Sequence, residues 1–173
     1  MSTDDIYADL RPPTPVGPDE LCQCAGRPPV KLMAALCYNP VHCTQCNLGV
    51  PPEQIPLTED LVRSIAYWRW IYDAIYRLWL DSEDYEAWAE RELCDIHSRV
   101  NQLGLEVVPR LTQIRKAYYW LFQNESMTEF QPRTQCPNCG RELTEFKGGF
   151  FVQKACEPCA ILLSAKRPPD SQL

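Results

Sequence analysis

Between residues 57 and 124 apolar side chains recur at three- and four-residue steps, the spacing of one face of an α-helix. Leu61, Ile65, Trp68, Tyr72, Ile75 and Trp79 make the first such stripe. Thr58 ahead of Glu59 and Asp60 reads as an N-cap, with acids in the first turn where the helix dipole favours negative charge. Asp81 and Ser82 end that run and open a second helix, lined by Tyr85, Trp88, Ala89, Leu93 and Ile96. Residues 98–104, containing Gly104, read as a loop. Pro109 suits the first turn of a third helix, where its missing N–H costs nothing. Leu111, Ile114, Ala117, Tyr118 and Leu121 line that helix. The pattern predicts an aromatic-rich, antiparallel three-helix bundle over residues 57–130.

The flanks follow other rules. Residues 1–20 are acidic and carry Pro12, Pro13, Pro15 and Pro18, the composition of a disordered N-terminus. Pro51, Pro52 and Pro56 make a stiff connector ahead of the first helix, and residues 166–173 form a polar tail. Between these lie two cysteine-bearing modules, over residues 21–50 and 133–165.

In the second module Cys136-Pro-Asn-Cys139-Gly140 is a metal knuckle: two thiolates at this spacing face one ion, and the glycine lets the backbone turn behind them. Cys156-Glu-Pro-Cys159 supplies the second pair, and residues 143–146 and 148–153 read as strands turned at Gly148-Gly149. Four thiolates close a tetrahedral shell, the arrangement of structural zinc, with no open position for chemistry. An iron centre of the rubredoxin kind takes the same ligands. The first module repeats the plan imperfectly. Gly26-Arg27 stands 17 residues before Cys43-Thr-Gln-Cys46, as Gly140-Arg141 stands 16 before the Cys156 pair. The expected ligands there are Cys22, Cys24, Cys43 and Cys46, with Cys37 or His42 as replacements for one of the first two. Cys94 reads as a core thiol, and His97 as a helix-end residue.

Ten cysteines, eight of them in close pairs, without an export signal, point to metal in a reducing compartment rather than disulfides, hence to a cytoplasmic protein. No apolar run reaches the ~20 residues of a membrane span. The absence of HExxH, GxSxG or a phosphate-binding glycine loop argues against an enzyme.

The net charge of −6 argues against a generic nucleic-acid binder. Acids crowd the second helix at Glu83, Asp84, Glu86, Glu90, Glu92 and Asp95, while Tyr67, Trp68, Trp70, Tyr72, Tyr76 and Trp79 surround the first. Such a surface suits a protein partner, preferentially a basic one, as in adaptors, inhibitors and immunity or antitoxin proteins. The alternative, a nucleic-acid-binding ribbon, draws on Arg133, Arg141, Lys147, Lys154, Lys166 and Arg167, and on Phe146, Phe150 and Phe151 as stacking platforms.

The knuckles over residues 136–159 resemble the zinc-ribbon fold group of transcription factors, ribosomal proteins and small adaptors, which implies fold and metal rather than one function. The aromatic helical block running into Cys136-Pro-Asn-Cys139-Gly140 also resembles a bacterial family of uncharacterised zinc-ribbon proteins that carry a nucleic-acid-binding label. The expected architecture is therefore α+β: a three-helix bundle flanked by two small zinc-ribbon modules.

Overall fold

Ala117–Trp120, expected within a helix, is instead the strand through which the whole molecule is joined. The computed structural model describes residues 5–12, 14, 16–34, 36–127 and 130–165. In chain order these form β1 (Val30–Leu32), β2 (Val41–Cys43), α1 (Glu59–Asp81), α2 (Glu86–Cys94), α3 (Arg99–Thr112), β3 (Ala117–Trp120), β4 (Thr144–Glu145), β5 (Gln153–Cys156) and β6 (Ile161–Ser164). The tail expected at 166–173 lies outside the described residues, as do residues 1–4, 13 and 15 of the expected disordered N-terminus. Within that terminus Leu10 is buried and the Tyr7 hydroxyl donates to the Ile55 carbonyl.

The three-helix bundle with two separate ribbons is overturned by a six-stranded sheet in the order β2-β1-β3-β6-β5-β4. β3 lies parallel to both β1 and β6, with Leu32 opposite Tyr119 and Tyr119 opposite Ile161, while the outer pairs are antiparallel. One strand thus joins the two cysteine modules into a single sheet. A central strand paired in parallel is buried on both faces, so it reads as an unbroken apolar run rather than an alternation. That is why Ala-Tyr-Tyr-Trp passes for helix in the sequence.

α1 follows its sequence signals. The Thr58 hydroxyl accepts from the Leu61 amide, and Leu61, Ile65, Trp68 and Tyr72 are buried. The expected loop at 98–104 is the first half of α3, which begins at the Ser98 N-cap and carries Pro109 in its interior. Gly104 is there for close approach, not for a turn: a Cβ at this position would stand 2.2 Å from Tyr119 Cε2 and 2.8 Å from Trp68 Nε1. The missing side chain lets α3 lie against β3 and the Trp68–Tyr119 edge contact. The second ribbon also differs in register, for the strand expected at 148–153 is β5, and β6 follows the last knuckle.

The two faces of the sheet differ. Tyr119 meets α1 and α3, whereas Tyr118 and Trp120 point to the far side and pack with Leu162, Ala155 and Phe146. Among the described residues no helix is long and apolar enough to cross a membrane.

Candidate metal centres and the Cys37–His42 pair

Each knuckle forms because its backbone turns through a left-handed residue directly after the second cysteine. Asn47 follows Cys46 at φ 63°, Gly140 follows Cys139 at φ 71°, and Ala160 follows Cys159 at φ 51°. The turns are closed by main-chain bonds from Asn47 to the Cys43 carbonyl at 3.0 Å and from Gly140 to the Cys136 carbonyl at 2.8 Å. The imperfect first pair keeps part of this plan, since Gly26 sits at φ 77°. β2 and β5 each deliver one cysteine at their end, Cys43 and Cys156.

The structure brings all eight expected ligands together in two groups. The sulfurs of Cys22, Cys24, Cys43 and Cys46 lie within 4.8 Å of one another, and so do those of Cys136, Cys139, Cys156 and Cys159. A metal with sulfur ligands at about 2.3 Å has tetrahedral S···S edges of about 3.8 Å. Cys139 Sγ and Cys156 Sγ are 3.6 Å apart, too far for a disulfide and close to that edge. The donor set therefore fits a metal ion in both places. Cys37 and His42, the reserve ligands, belong to neither group. The first site is the more enclosed, with Cys22 and Cys43 buried and the other two half-buried; in the second Cys139 is exposed.

Proton affinities support the same reading. Burial pushes Cys22 and Cys156 up to about 12. Burial also raises Cys43, but amides of Cys46 and Gln45 donate to its sulfur and leave it below the usual thiol value. The amide of Arg141 brings Cys139 down to about 7. Each group thus sets one thiol shifted toward the thiolate, Cys43 or Cys139, beside thiols that burial shifts toward the protonated form, Cys22 and Cys24 or Cys156 and Cys159. Asn138 Nδ2 donates to Cys159 Sγ at 3.4 Å, an outer contact that orients a ligand sulfur.

Sequence reasoning missed one constellation. Cys37 Sγ stands 3.3 Å from His42 Nε2, and His42 Nδ1 donates to the Asn47 carbonyl at 2.9 Å. The signal available was their five-residue separation, which the fold turns into a contact between the β1–β2 loop and β2. Cys94 sits half-buried on α2, where burial raises its pKa, and His97 is exposed.

No family model, no curated protein and no solved structure matches the chain. The two four-cysteine groups are consistent with zinc-ribbon-like modules, without support for a particular family.

Proposed function

We propose that the chain is a non-enzymatic structural-zinc protein that docks a basic protein segment at the corner between α1 and α2. Two groups of four cysteines support zinc, because a closed tetrahedral thiolate shell is the usual form of a structural zinc site. In this reading the zinc centres stiffen the two ends of one sheet, and the sheet holds the helices that carry the binding surface.

The observation that carries the docking reading is the chemistry of that corner. Leu80, Tyr85 and Trp88 are exposed by 41%, 58% and 42%. Around them stand Asp81, Glu83, Asp84 and Glu86, all exposed, and among the described residues none of the four is ion-paired. Aromatic anchors inside a ring of unpaired carboxylates suit a partner with Lys or Arg and an apolar contact. An adaptor, an inhibitor or an immunity protein would present such a surface.

The alternative, nucleic-acid binding, is favoured by Phe150, Phe151 and Val152, exposed at the β4–β5 turn between Lys147 and Lys154. Exposed Glu142, Glu145 and Glu157 interrupt the positive charge of that ribbon, which disfavours phosphate.

The test is quantitative affinity purification from the native host with wild type and a Tyr85→Ala, Trp88→Ala, Glu83→Lys, Glu86→Lys variant. The account expects a basic protein enriched on wild type and lost from the variant. Equal enrichment on both, or nucleic acid alone on both, would overturn it.

A further inference from the structure

The Cys37–His42 pair lies outside both metal groups and lines a cavity of about 520 Å³ together with Leu10, Val16, Leu21 and Tyr38. A cavity of this size lies within the ordinary range of small-molecule sites. We propose that Cys37 is a covalent capture site for an uncharged, soft electrophile of the α,β-unsaturated carbonyl class, with His42 accepting the thiol proton.

The geometry fixes the roles. A carbonyl only accepts, so the bond to Asn47 places the hydrogen of the ring on Nδ1. Nε2 then offers its lone pair to the thiol at 3.3 Å, closer than the Met33 carbonyl at 3.7 Å. Nucleophile, base and an orienting third group are the parts of an activated thiol. The backbone on either side of Cys37 is also held: the Leu36 amide donates to Asp73 Oδ1 at 3.1 Å, and Arg69 Nη1 donates to the Tyr38 carbonyl at 2.8 Å. Both anchors come from α1, so the thiol is positioned by the helix rather than by a free loop. Asn47 in turn is fixed as the left-handed residue of a knuckle.

The class of ligand follows from the walls. They are largely apolar, and Arg11 at the rim is already engaged by Asp5 and Glu53. An uncharged group therefore enters more readily than an anion. In the step, sulfur forms a bond to the β-carbon as the C=C π pair shifts onto the α-carbon and carbonyl. The proton taken by Nε2 is returned to the α-carbon. Nothing leaves, and no oxidant or further reactant is needed.

The test treats the zinc-loaded full chain with 2-cyclohexen-1-one and follows adduct formation at each cysteine by peptide mass mapping. Cys94, the other cysteine outside the two groups, is the internal reference. The proposal expects Cys37 to react at least about tenfold faster than Cys94, with a rate that saturates as the enone fills the cavity. In His42→Gln, the amide oxygen still accepts the thiol hydrogen bond but cannot take the proton, so the Cys37 rate falls to near that of Cys94. Equal rates at Cys37 and Cys94 in wild type, or a Cys37 rate strictly linear in enone, would overturn it. So would a His42→Gln protein that keeps its zinc and reacts at the wild-type rate. If that variant loses zinc, the wild-type rate ratio and its saturation decide the matter.

Discussion

The Tyr119 hydroxyl donates to Asn101 Oδ1 across 2.6 Å, with both side chains fully buried. The Asn101 amide nitrogen faces the carbonyls of Glu92, Leu93 and Asp95 at 3.1, 3.0 and 2.7 Å, closing the C-terminal end of α2. One asparagine thus links α2, α3 and the central strand, and satisfies carbonyls that a helix end otherwise leaves without donors. Tyr119→Phe is expected to cost about 1–3 kcal/mol, because a buried acceptor loses its donor. Asn101→Leu, which strands the hydroxyl and the helix-end carbonyls together, is expected to cost about 3 kcal/mol or more. Denaturant unfolding of both variants measures this, and two losses below about 0.5 kcal/mol would refute the linkage.

Gly104→Ala places a methyl group against the edges of the Tyr119 and Trp68 rings, closer than van der Waals contact allows. The expected loss is about 3 kcal/mol, the upper end for an overpacked core. Gly26→Ala is the contrast, for nothing lies within 4 Å of a Cβ there and only the positive φ is strained. It is expected to cost about 1–2 kcal/mol. Equal losses would mean that Gly104 is not a packing glycine.

Lys31 is fully buried on β1, its ammonium 4.3 Å from the Trp120 ring centre and without a hydrogen-bond partner among the described residues. Burial pulls its pKa down to about 8, from 10.5. Between these values the unfolded chain holds a proton that the folded one has released, so stability rises with pH across that window. At pH 7 both states are protonated and the folded state bears the cost of the buried charge. Lys31→Met keeps the stem against Trp120 and removes that cost. It is expected to raise stability by about 1–3 kcal/mol at pH 7, the gain shrinking as pH rises from 8 to 10.5. Comparing the two proteins at each pH isolates Lys31 from the thiols, and a pH-independent difference would refute the assignment.

Because β3 pairs with both modules, the metal sites are expected to be coupled. Cys43→Ser should remove one metal equivalent and also lower the melting temperature of the remaining structure, including the β5–β6 hairpin, in one cooperative transition. Hydrogen exchange on β6 amides reads this directly. Unchanged protection at β6 would mean the modules fold separately.

The two four-cysteine groups were legible because knuckle spacing is local: a C-x-x-C pair carries its geometry within five residues, and Cys136, Cys139, Cys156 and Cys159 meet as expected. α1 was legible for the same reason, with its cap and stripe on neighbouring turns. The sheet was not, because what makes residues 117–120 a strand is pairing with β1 and β6, from opposite ends of the chain. Gly104 misled in the same way. Its role depends on Tyr119 and Trp68, and sequence alone makes a glycine look like a break. Cys37 and His42 each resembled a spare ligand, and only the folded hairpin sets them against each other.

Two four-thiolate zinc centres are expected to close the two halves of one sheet. Elemental analysis of the purified full chain, combined with its intact mass under native conditions, tests it most directly. The account predicts two zinc ions per chain and a mass equal to that of the fully reduced chain with two zinc ions bound, with no disulfide. A chain that is folded yet carries no metal, a single metal, or its cysteines oxidised in pairs would contradict it.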